Sequence, residues 1–155
     1  MPLAEVFPFA DIGDTGSYPD WIRGLRKVSG VYVIRLQYSG DIAYVGESST
    51  DRLYSTLTRH FQAWTNKYDT AGATYDRDRV QVAVIVVPRE HANFLQNELI
   101  CALRPADNRL VCNHLFDPDD PESFTEPPGY DYDVDLIMQG IAYEWPEDDG
   151  EDMPF

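Results

Sequence analysis

The stretch GVYVIRLQYSGDIAYVGESSTDRLYSTLTRHFQAW, residues 30–64, decides the fold of this chain. VYVIRLQY (31–38) and IAYVG (42–46) are rich in β-branched and aromatic residues, which are typical of strands. Ser39-Gly40-Asp41 between them is a turn, and so short a connection predicts an antiparallel hairpin. DRLYSTLTRHFQAW (51–64) predicts a helix, because its apolar and aromatic residues share a broad face at spacings of three and four: Leu53, Leu57, His60, Phe61 and Trp64.

The remaining elements lie on either side of this stretch. WIRGLRKV (21–28), preceded by Pro19 and Asp20, predicts a short helix that ends at Ser29-Gly30. VQVAVIVV (80–87) is apolar enough to be a central strand, and REHANFLQNELICALR (89–104) predicts a second long helix, stopped by Pro105. The order β-β-α-β-α indicates a small α/β (α+β) domain over residues 28–112, preceded by a helical lead-in over residues 1–27.

The acidic charge is concentrated towards the C-terminal end of the chain. The 155 residues carry 12 Lys and Arg against 27 Asp and Glu, a formal net charge of −15, which excludes a uniformly basic nucleic-acid-binding protein. Residues 1–109 hold 13 of the carboxylates and all 12 cations, so residues 110–155 hold 27 − 13 = 14 carboxylates and no cation. We therefore predict an acidic, aromatic-containing extension over residues 113–155, in which VDLIMQGIAYEW (134–145) forms a short amphipathic element.

The compartment follows from what the sequence lacks. No apolar run approaches the about 20 residues that cross a bilayer, so no membrane association is expected. The first residues, MPLAEVFPFADIGD, do not have the pattern of a signal peptide. The two cysteines, Cys101 and Cys112, are too few for a disulfide framework. The cytoplasm is the expected location.

The hairpin and the helix after it carry the first candidate site residues. Tyr32 and Tyr44 each lie two residues from a glycine, which allows a ligand or a backbone to approach closely, although packing across the hairpin also explains them. Arg52 and Arg59 are seven residues apart and lie nearly on one line of the helix. Guanidinium groups bind phosphate oxygens bidentately, and a solvated basic face is the alternative. His60 adds a titratable group to this helix.

Two further candidates come later in the chain. Glu98 lies within the apolar FLQNELICALR stretch, where a carboxylate costs free energy unless it is paired, bound to a cation or facing water. Asn108 follows the helix stop at Pro105, and an asparagine in such a place is usually a turn residue.

These features occur in the order that the GIY-YIG nuclease superfamily shows, and the chain resembles that superfamily over roughly residues 28–110. The two signature triplets read Gly30-Val31-Tyr32 and Tyr44-Val45-Gly46. A helix with arginine and histidine, a strand, a helical glutamate and a downstream asparagine follow. The resemblance implies a three-stranded antiparallel sheet flanked by helices.

The resemblance also implies an activity, the hydrolysis of phosphodiester bonds in DNA with one divalent metal, Mg²⁺ or Mn²⁺. Glu98 matches the glutamate that holds the metal. Tyr32 matches the general base or water-orienting group, and Tyr44 lies in the same pocket and assists. His60 matches the histidine of some branches.

An arginine on the first helix stabilises the phosphate in the family, and two positions of this chain compete for that role. The family's arginine usually lies four residues before the histidine, where this chain has Thr56. Arg52, one turn earlier, is favoured over Arg59. Gly46 and Asn108 are carried over as substrate-binding positions.

Glu47 is a second departure, because many members have a lysine directly after the second triplet. A carboxylate there either repels a phosphate or adds a second metal ligand.

Three hypotheses follow for the function. The leading one is a metal-dependent GIY-YIG-like endonuclease. The second is a catalytically silent fold that serves as a binding module, which Thr56 and the acidic extension favour. The third is an acidic inhibitor that occupies the DNA site of another protein. If the protein is a nuclease, three explanations compete for the acidic extension: it lies away from the DNA path, it binds a protein partner, or it covers basic groups of the domain and competes with DNA for them. In the last case, deletion of residues 117–155 is expected to tighten DNA binding.

Overall fold

The chain forms an α+β fold in which a four-stranded antiparallel sheet packs against helices. The computed structural model describes residues 5–13, 16–61, 64–65, 70–71, 75–108 and 126–143, with the backbone alone at 64–65 and 70–71. The strands are β1 (Glu5–Asp11), β2 (Gly30–Leu36), β3 (Ile42–Ser48), β4 (Trp64–Thr65), β5 (Thr70–Ala71) and β6 (Val80–Val86). The helices are α1 (Asp20–Arg23), α2 (Leu53–Thr58), α3 (Arg89–Leu103) and α4 (Val134–Gly140), with 3₁₀ turns at Arg59–Phe61 and Arg77–Arg79.

The main sheet has the order β1-β6-β2-β3, so the prediction of three strands is wrong by one. The additional strand β1 pairs antiparallel with β6, and its register is irregular between Phe7 and Ala10, around Pro8. Proline is tolerated in a strand mainly at a sheet edge, and β1 is an edge strand. The β2–β3 hairpin and the central position of β6 are confirmed.

The predicted helices around the hairpin are shorter than expected. α1 ends at Gly24, whose N–H donates to the Asp20 carbonyl, because glycine disfavours continuation of a helix. α2 begins only at Leu53, since Asp51 has a positive φ of 60°. It passes into the 3₁₀ turn at Arg59, and Trp64–Thr65 pairs with Thr70–Ala71 as a small ribbon where the prediction had the helix reach residue 64.

Each face of the sheet carries its own core. On one face, α3 and α4 pack on the strand residues Val31, Val33, Val45, Ala83 and Ile85. The helices contribute Leu95, Leu99, Ile137 and Met138 to this core, with Ile141 at the end of α4. On the opposite face, α1 and α2 pack on the alternate strand residues Tyr32, Ile34, Val82 and Val84. This core also contains Ile12, Ile22, Leu25, Leu53 and Leu57. The alternation follows from the two-residue period of a strand, and it puts Tyr32 on the α2 face.

Residues 126–143 of the acidic extension dock on the protein's own domain. Ile137, Met138 and Ile141 of this segment are buried in the core of the α3 face. The Phe9 N–H also donates to the Ile141 carbonyl at 3.0 Å. A deletion of residues 117–155 would therefore remove part of the core, and it does not separate an electrostatic effect on DNA binding from a loss of stability.

Two further observations concern the helices and the cysteines. Among the helices in the described ranges, none has the length and apolar content needed to cross a membrane. Cys101, on α3, is disulfide-bonded. The other cysteine of the sequence, Cys112, lies outside the described residues.

Candidate functional site

The two signature tyrosines and the helix histidine meet on the α2 face of the sheet. Tyr32 of β2 and Tyr44 of β3 have ring centroids 6.1 Å apart. His60, in the 3₁₀ turn after α2, places Nε2 at 2.8 Å from the Tyr32 hydroxyl and its ring 4.8 Å from that of Tyr44. We call Tyr32, Tyr44 and His60 the tyrosine–histidine cluster. The structure thus brings together three of the predicted site residues.

Gly46 makes this cluster possible. It is the cross-strand partner of Tyr32, and a Cβ at position 46 would lie 2.8 Å from Cε2 of Tyr44 and closer still to Cζ and the hydroxyl of Tyr32. Real Cβ atoms do not approach other atoms so closely. The glycine that ends the second triplet is therefore required by the Tyr32 phenol, and its predicted role as a substrate-binding position remains a prediction.

Burial keeps both partners of the phenol–imidazole hydrogen bond neutral. Tyr32 is 2% exposed, and burial, followed by Tyr44 and Glu47, raises its pKa well above the ordinary value. Burial, with a smaller effect of Arg59, lowers the pKa of His60 from its ordinary value of 6.5. A resting phenolate at Tyr32 is therefore excluded at neutral pH, and His60 is the group of this pair that is free to accept a proton.

Tyr75 joins the cluster, and sequence reasoning missed it. Its ring centroid lies 5.9 Å from that of His60, and its N–H donates to the His60 carbonyl at 2.9 Å. Its hydroxyl donates to Asp107 Oδ2 at 2.6 Å, and burial, followed by Asp107, raises its pKa. The only signal in the sequence is an aromatic residue within a polar loop, which does not reveal what it contacts.

The two candidate arginines lie at opposite ends of α2. Arg52 precedes the helix, and its N–H donates to Ser48 Oγ at 3.2 Å, which fixes it at the end of β3. Arg59 follows the helix and is adjacent to His60. Both side chains are exposed, whereas Thr56 between them is half-buried. Their assignment to a phosphate stays a prediction.

Glu98 is not among the residues that contact the tyrosine–histidine cluster in the described part of the chain. It belongs to α3, which packs on the face opposite Tyr32. Its Oε1 accepts a hydrogen bond from the hydroxyl of Tyr130, in the docked acidic segment. Burial, followed by the contact with Glu98, raises the pKa of Tyr130, so this phenol remains the donor. Sequence reasoning placed Glu98 correctly on the helix but did not find its partner.

Asn108 has a structural contact that the prediction did not include. Its Oδ1 accepts from the Val45 N–H at 2.9 Å, and its Nδ2 donates to the Val45 carbonyl at 2.8 Å. The N–H groups of Ala106 and Asp107 donate to the carbonyls of Ile42 and Ala43. Residues 106–108 thus cover the outer edge of β3, and the amide of Asn108 is engaged by the backbone of the second triplet.

Glu47 is the carboxyl group nearest in sequence to Gly46, and one of its oxygens is buried without a partner. Oε2 has no hydrogen bond within the described structure, and burial raises the pKa of the carboxyl against the opposing effect of a hydrogen bond with Ser49. Glu47 also contributes to the raised pKa values of Tyr32 and Tyr44. It is therefore within electrostatic range of the cluster.

The described residues do not form a preorganised metal site. They contain no group of three or more His, Cys, Asp and Glu side chains able to hold a metal ion. Mg²⁺, however, is usually bound by one or two carboxylates together with waters and substrate phosphates. Glu98 offers such a carboxylate, since only its Oε1 has a hydrogen-bond partner among the described side chains.

Comparison with known proteins gives no match. No protein-family model matches the chain, and neither a curated protein nor a solved structure does.

Proposed function

We propose that this protein is a metal-dependent endonuclease of the GIY-YIG type that hydrolyses phosphodiester bonds in DNA. The observation that carries the proposal is the tyrosine–histidine cluster, in which a buried phenol is hydrogen-bonded to a neutral imidazole around a glycine that admits no side chain. Packing across a hairpin alone explains neither the hydrogen bond nor the requirement for glycine. The order of the two triplets, the helix histidine and the α3 glutamate supports the same proposal.

In the proposed reaction, Tyr32 and His60 move a proton together. With His60 protonated on Nδ1, the Tyr32 hydroxyl donates to Nε2. As a water oxygen bonds to phosphorus, its proton passes to the Tyr32 oxygen while the phenolic proton passes to Nε2. The leaving oxygen departs with its bonding electron pair. This relay needs no phenolate, and it makes His60 the final proton acceptor and Tyr32 the group that orients the water.

The other residues stabilise charge in this proposal. Arg52, or Arg59 from the other end of α2, binds the phosphoryl oxygens, whose negative charge grows in the transition state. Glu98 would hold Mg²⁺ or Mn²⁺, which supplies Lewis-acid chemistry when bound; because Glu98 lies on the face opposite Tyr32, this role rests on the resemblance alone. Tyr44 packs against the imidazole and helps fix its orientation.

A cleavage assay with matched variants tests the proposal. Duplex, single-stranded and branched DNA are incubated with Mg²⁺, with Mn²⁺ and with EDTA. Tyr32→Phe keeps the ring and removes only the hydroxyl, and Tyr38→Phe, at a fully exposed tyrosine, is its control. Glu98→Gln is paired with Glu90→Gln, an exposed glutamate of the same helix. We expect a loss of about 10²-fold or more in the two site variants, and little change in the controls.

Two observations favour the second candidate, a catalytically silent GIY-YIG-like binding module. Glu98 lies on a helix of the face opposite Tyr32 and is engaged by Tyr130, and Thr56 stands in the arginine position. A silent module would bind nucleic acid or protein, with the acidic extension available for a protein partner. Absence of metal-dependent cutting on every DNA substrate would establish this reading over the nuclease.

A further inference from the structure

A set of exposed cations lies where α1 meets α2. Two backbone hydrogen bonds of 3.1 Å fix the turn after α1 to the first turn of α2: Leu53 N–H donates to the Val28 carbonyl, and Tyr54 N–H donates to the Leu25 carbonyl. Arg26 and Lys27 belong to that turn, and Arg52 directly precedes α2. We call these three residues the α1–α2 cationic surface.

The positive charge of this surface has no carboxylate partner in the part of the chain that the structure describes. Within the described ranges, none of its three cations forms an ion pair. Two carboxylates that flank it in sequence have other partners, since Asp20 pairs with Arg23 and Asp51 pairs with Arg89 at 2.5 Å. In a chain with 27 carboxylates and 12 Lys and Arg, three neighbouring cations without a carboxylate partner run against the overall composition.

Arg26 is also held in place before any ligand binds. Its guanidinium carbon lies 4.4 Å from the centroid of the Tyr54 ring. Stacking on an aromatic face leaves the N–H groups at the edge of the guanidinium available to phosphate oxygens. A side chain already ordered in this way loses less conformational entropy on binding.

The surface lies on the same face of the sheet as the tyrosine–histidine cluster. Leu25 and Leu53, which anchor the two segments, belong to the core that contains Tyr32. A polyanion that runs along α2 would therefore pass both the surface and His60 at the far end of the helix. A helix of this length spans only about 10 Å, which is a few phosphate spacings.

We infer that the α1–α2 cationic surface binds the phosphodiester backbone of DNA, with Arg26 and Lys27 contacting phosphates outside the bond that is cut. The inference rests on the proposed function for its substrate class. Arg26 and Lys27 lie outside the signature triplets and the helix motif, and they bind without touching the reacting atoms. Recognition is of charge and spacing, so no dependence on base sequence is expected.

The salt dependence of binding measures these contacts without any cleavage. Fluorescence anisotropy of a labelled duplex is measured in EDTA from about 50 to about 300 mM salt. Roughly over this range, each phosphate contact changes the affinity measurably. Wild type is compared with the double variant Arg26→Gln, Lys27→Gln. The control is the double variant Arg79→Gln, Arg104→Gln, which also removes two exposed arginines. Arg79 lies away from the α1–α2 cationic surface, because the adjacent Val80 pairs with Leu36, at the opposite end of β2 from Gly30.

The counterion-release relation sets the expected size. Loss of two phosphate contacts makes the slope of log K against log salt less negative by about 1.8 and weakens binding by about 60-fold at 0.1 M salt. Arg26→Lys keeps the charge and is expected to keep the wild-type slope, which separates charge from packing on Tyr54. Thermal melts confirm that each variant is folded.

The inference would be overturned by an unchanged slope in the double variant or by an equal loss in the control pair. It would also be overturned if wild type did not bind duplex at about 50 mM salt, where phosphate contacts are strongest in this range. These results are distinct from failure of the proposed function. Metal-dependent cutting with an unchanged slope refutes the surface alone. A reduced slope without any cutting supports the surface and refutes the nuclease.

Discussion

Gly46→Ala is the change that tests the construction of the site most directly. The added Cβ would lie 2.8 Å from Cε2 of Tyr44, where ordinary van der Waals contacts are 3.4–4 Å, and it would lie closer still to the Tyr32 phenol. Tyr32 is only 2% exposed, so its ring has no solvent to move into. Tyr44 must therefore move by about 3.4 − 2.8 = 0.6 Å to restore contact distance, and the Tyr32 phenol must move further.

The expected cost has two parts. Overpacking of a buried site typically costs about 1–3 kcal/mol. A moved phenol also weakens the hydrogen bond to His60, which contributes about 0.5–1.5 kcal/mol. We expect the free energy of unfolding to fall by about 3 kcal/mol, which corresponds to a drop in Tm of roughly 6–12 °C for a chain of this size.

Urea denaturation and thermal melts measure this cost, and an NMR pH titration of His60 reports its hydrogen bond. Gly24→Ala is the matched control, because its φ is −70° and an added Cβ would meet only ordinary contacts, the nearest at 3.5 Å. We expect that control to stay within about 0.5 kcal/mol of wild type. A Gly46→Ala protein as stable as the control, with an unchanged His60 titration, would refute the steric explanation of the second triplet.

Three further predictions concern the strands and the histidine. Gly30→Ala places a Cβ 3.0 Å from Val86 Cα and closer still to the Ile85 carbonyl oxygen, so we expect the free energy of unfolding in urea to fall by at least about 3 kcal/mol. A fall of less than about 1 kcal/mol would contradict this steric explanation. The folded pKa of His60 is lower than its unfolded value of about 6.5, so its contribution to stability is fully present above that pH and declines as the pH falls below it. His60→Gln should remove that part of the pH dependence, and identical slopes between pH 5 and 7, about the range in which a histidine titrates, would contradict this. Asn108→Ala leaves two backbone groups of Val45 without partners and should cost about 1–3 kcal/mol in the same denaturation assay, whereas a neutral effect would show that water replaces the amide.

The sequence predicts those elements whose pattern is local. β6 is apolar at every position but Gln81, and α3 has apolar positions at helical spacing with Pro105 beyond its end, so both were predicted almost to their ends. β1 was not predicted, because Pro8 interrupts it and its side chains are at most half-buried. The short length of α2 was not predicted, because the positive φ of Asp51 and the change to a 3₁₀ turn do not disturb the apolar spacing.

The candidate site likewise contains contacts that a local pattern predicts and contacts that it does not. The resemblance places Tyr32 and Tyr44 in one pocket, and strand alternation puts them on one side of the hairpin. The hydrogen bond from Tyr32 to His60 was not predicted, because His60 reaches it from the 3₁₀ turn after α2. The contact between Glu98 and Tyr130 joins segments 32 residues apart, and no local pattern contains it. Tyr75 reaches His60 through a loop whose path depends on the rest of the fold.

The cover that residues 106–108 form over β3 also affects how the molecule meets copies of itself. An uncovered edge strand presents a row of free N–H and C=O groups, which can template pairing with another chain. At β3 the Val45 backbone groups are already engaged by Asn108. At the opposite edge, Pro8 and an irregular register interrupt β1. Neither edge of the main sheet therefore offers an unbroken ladder on which aggregation by strand addition could begin.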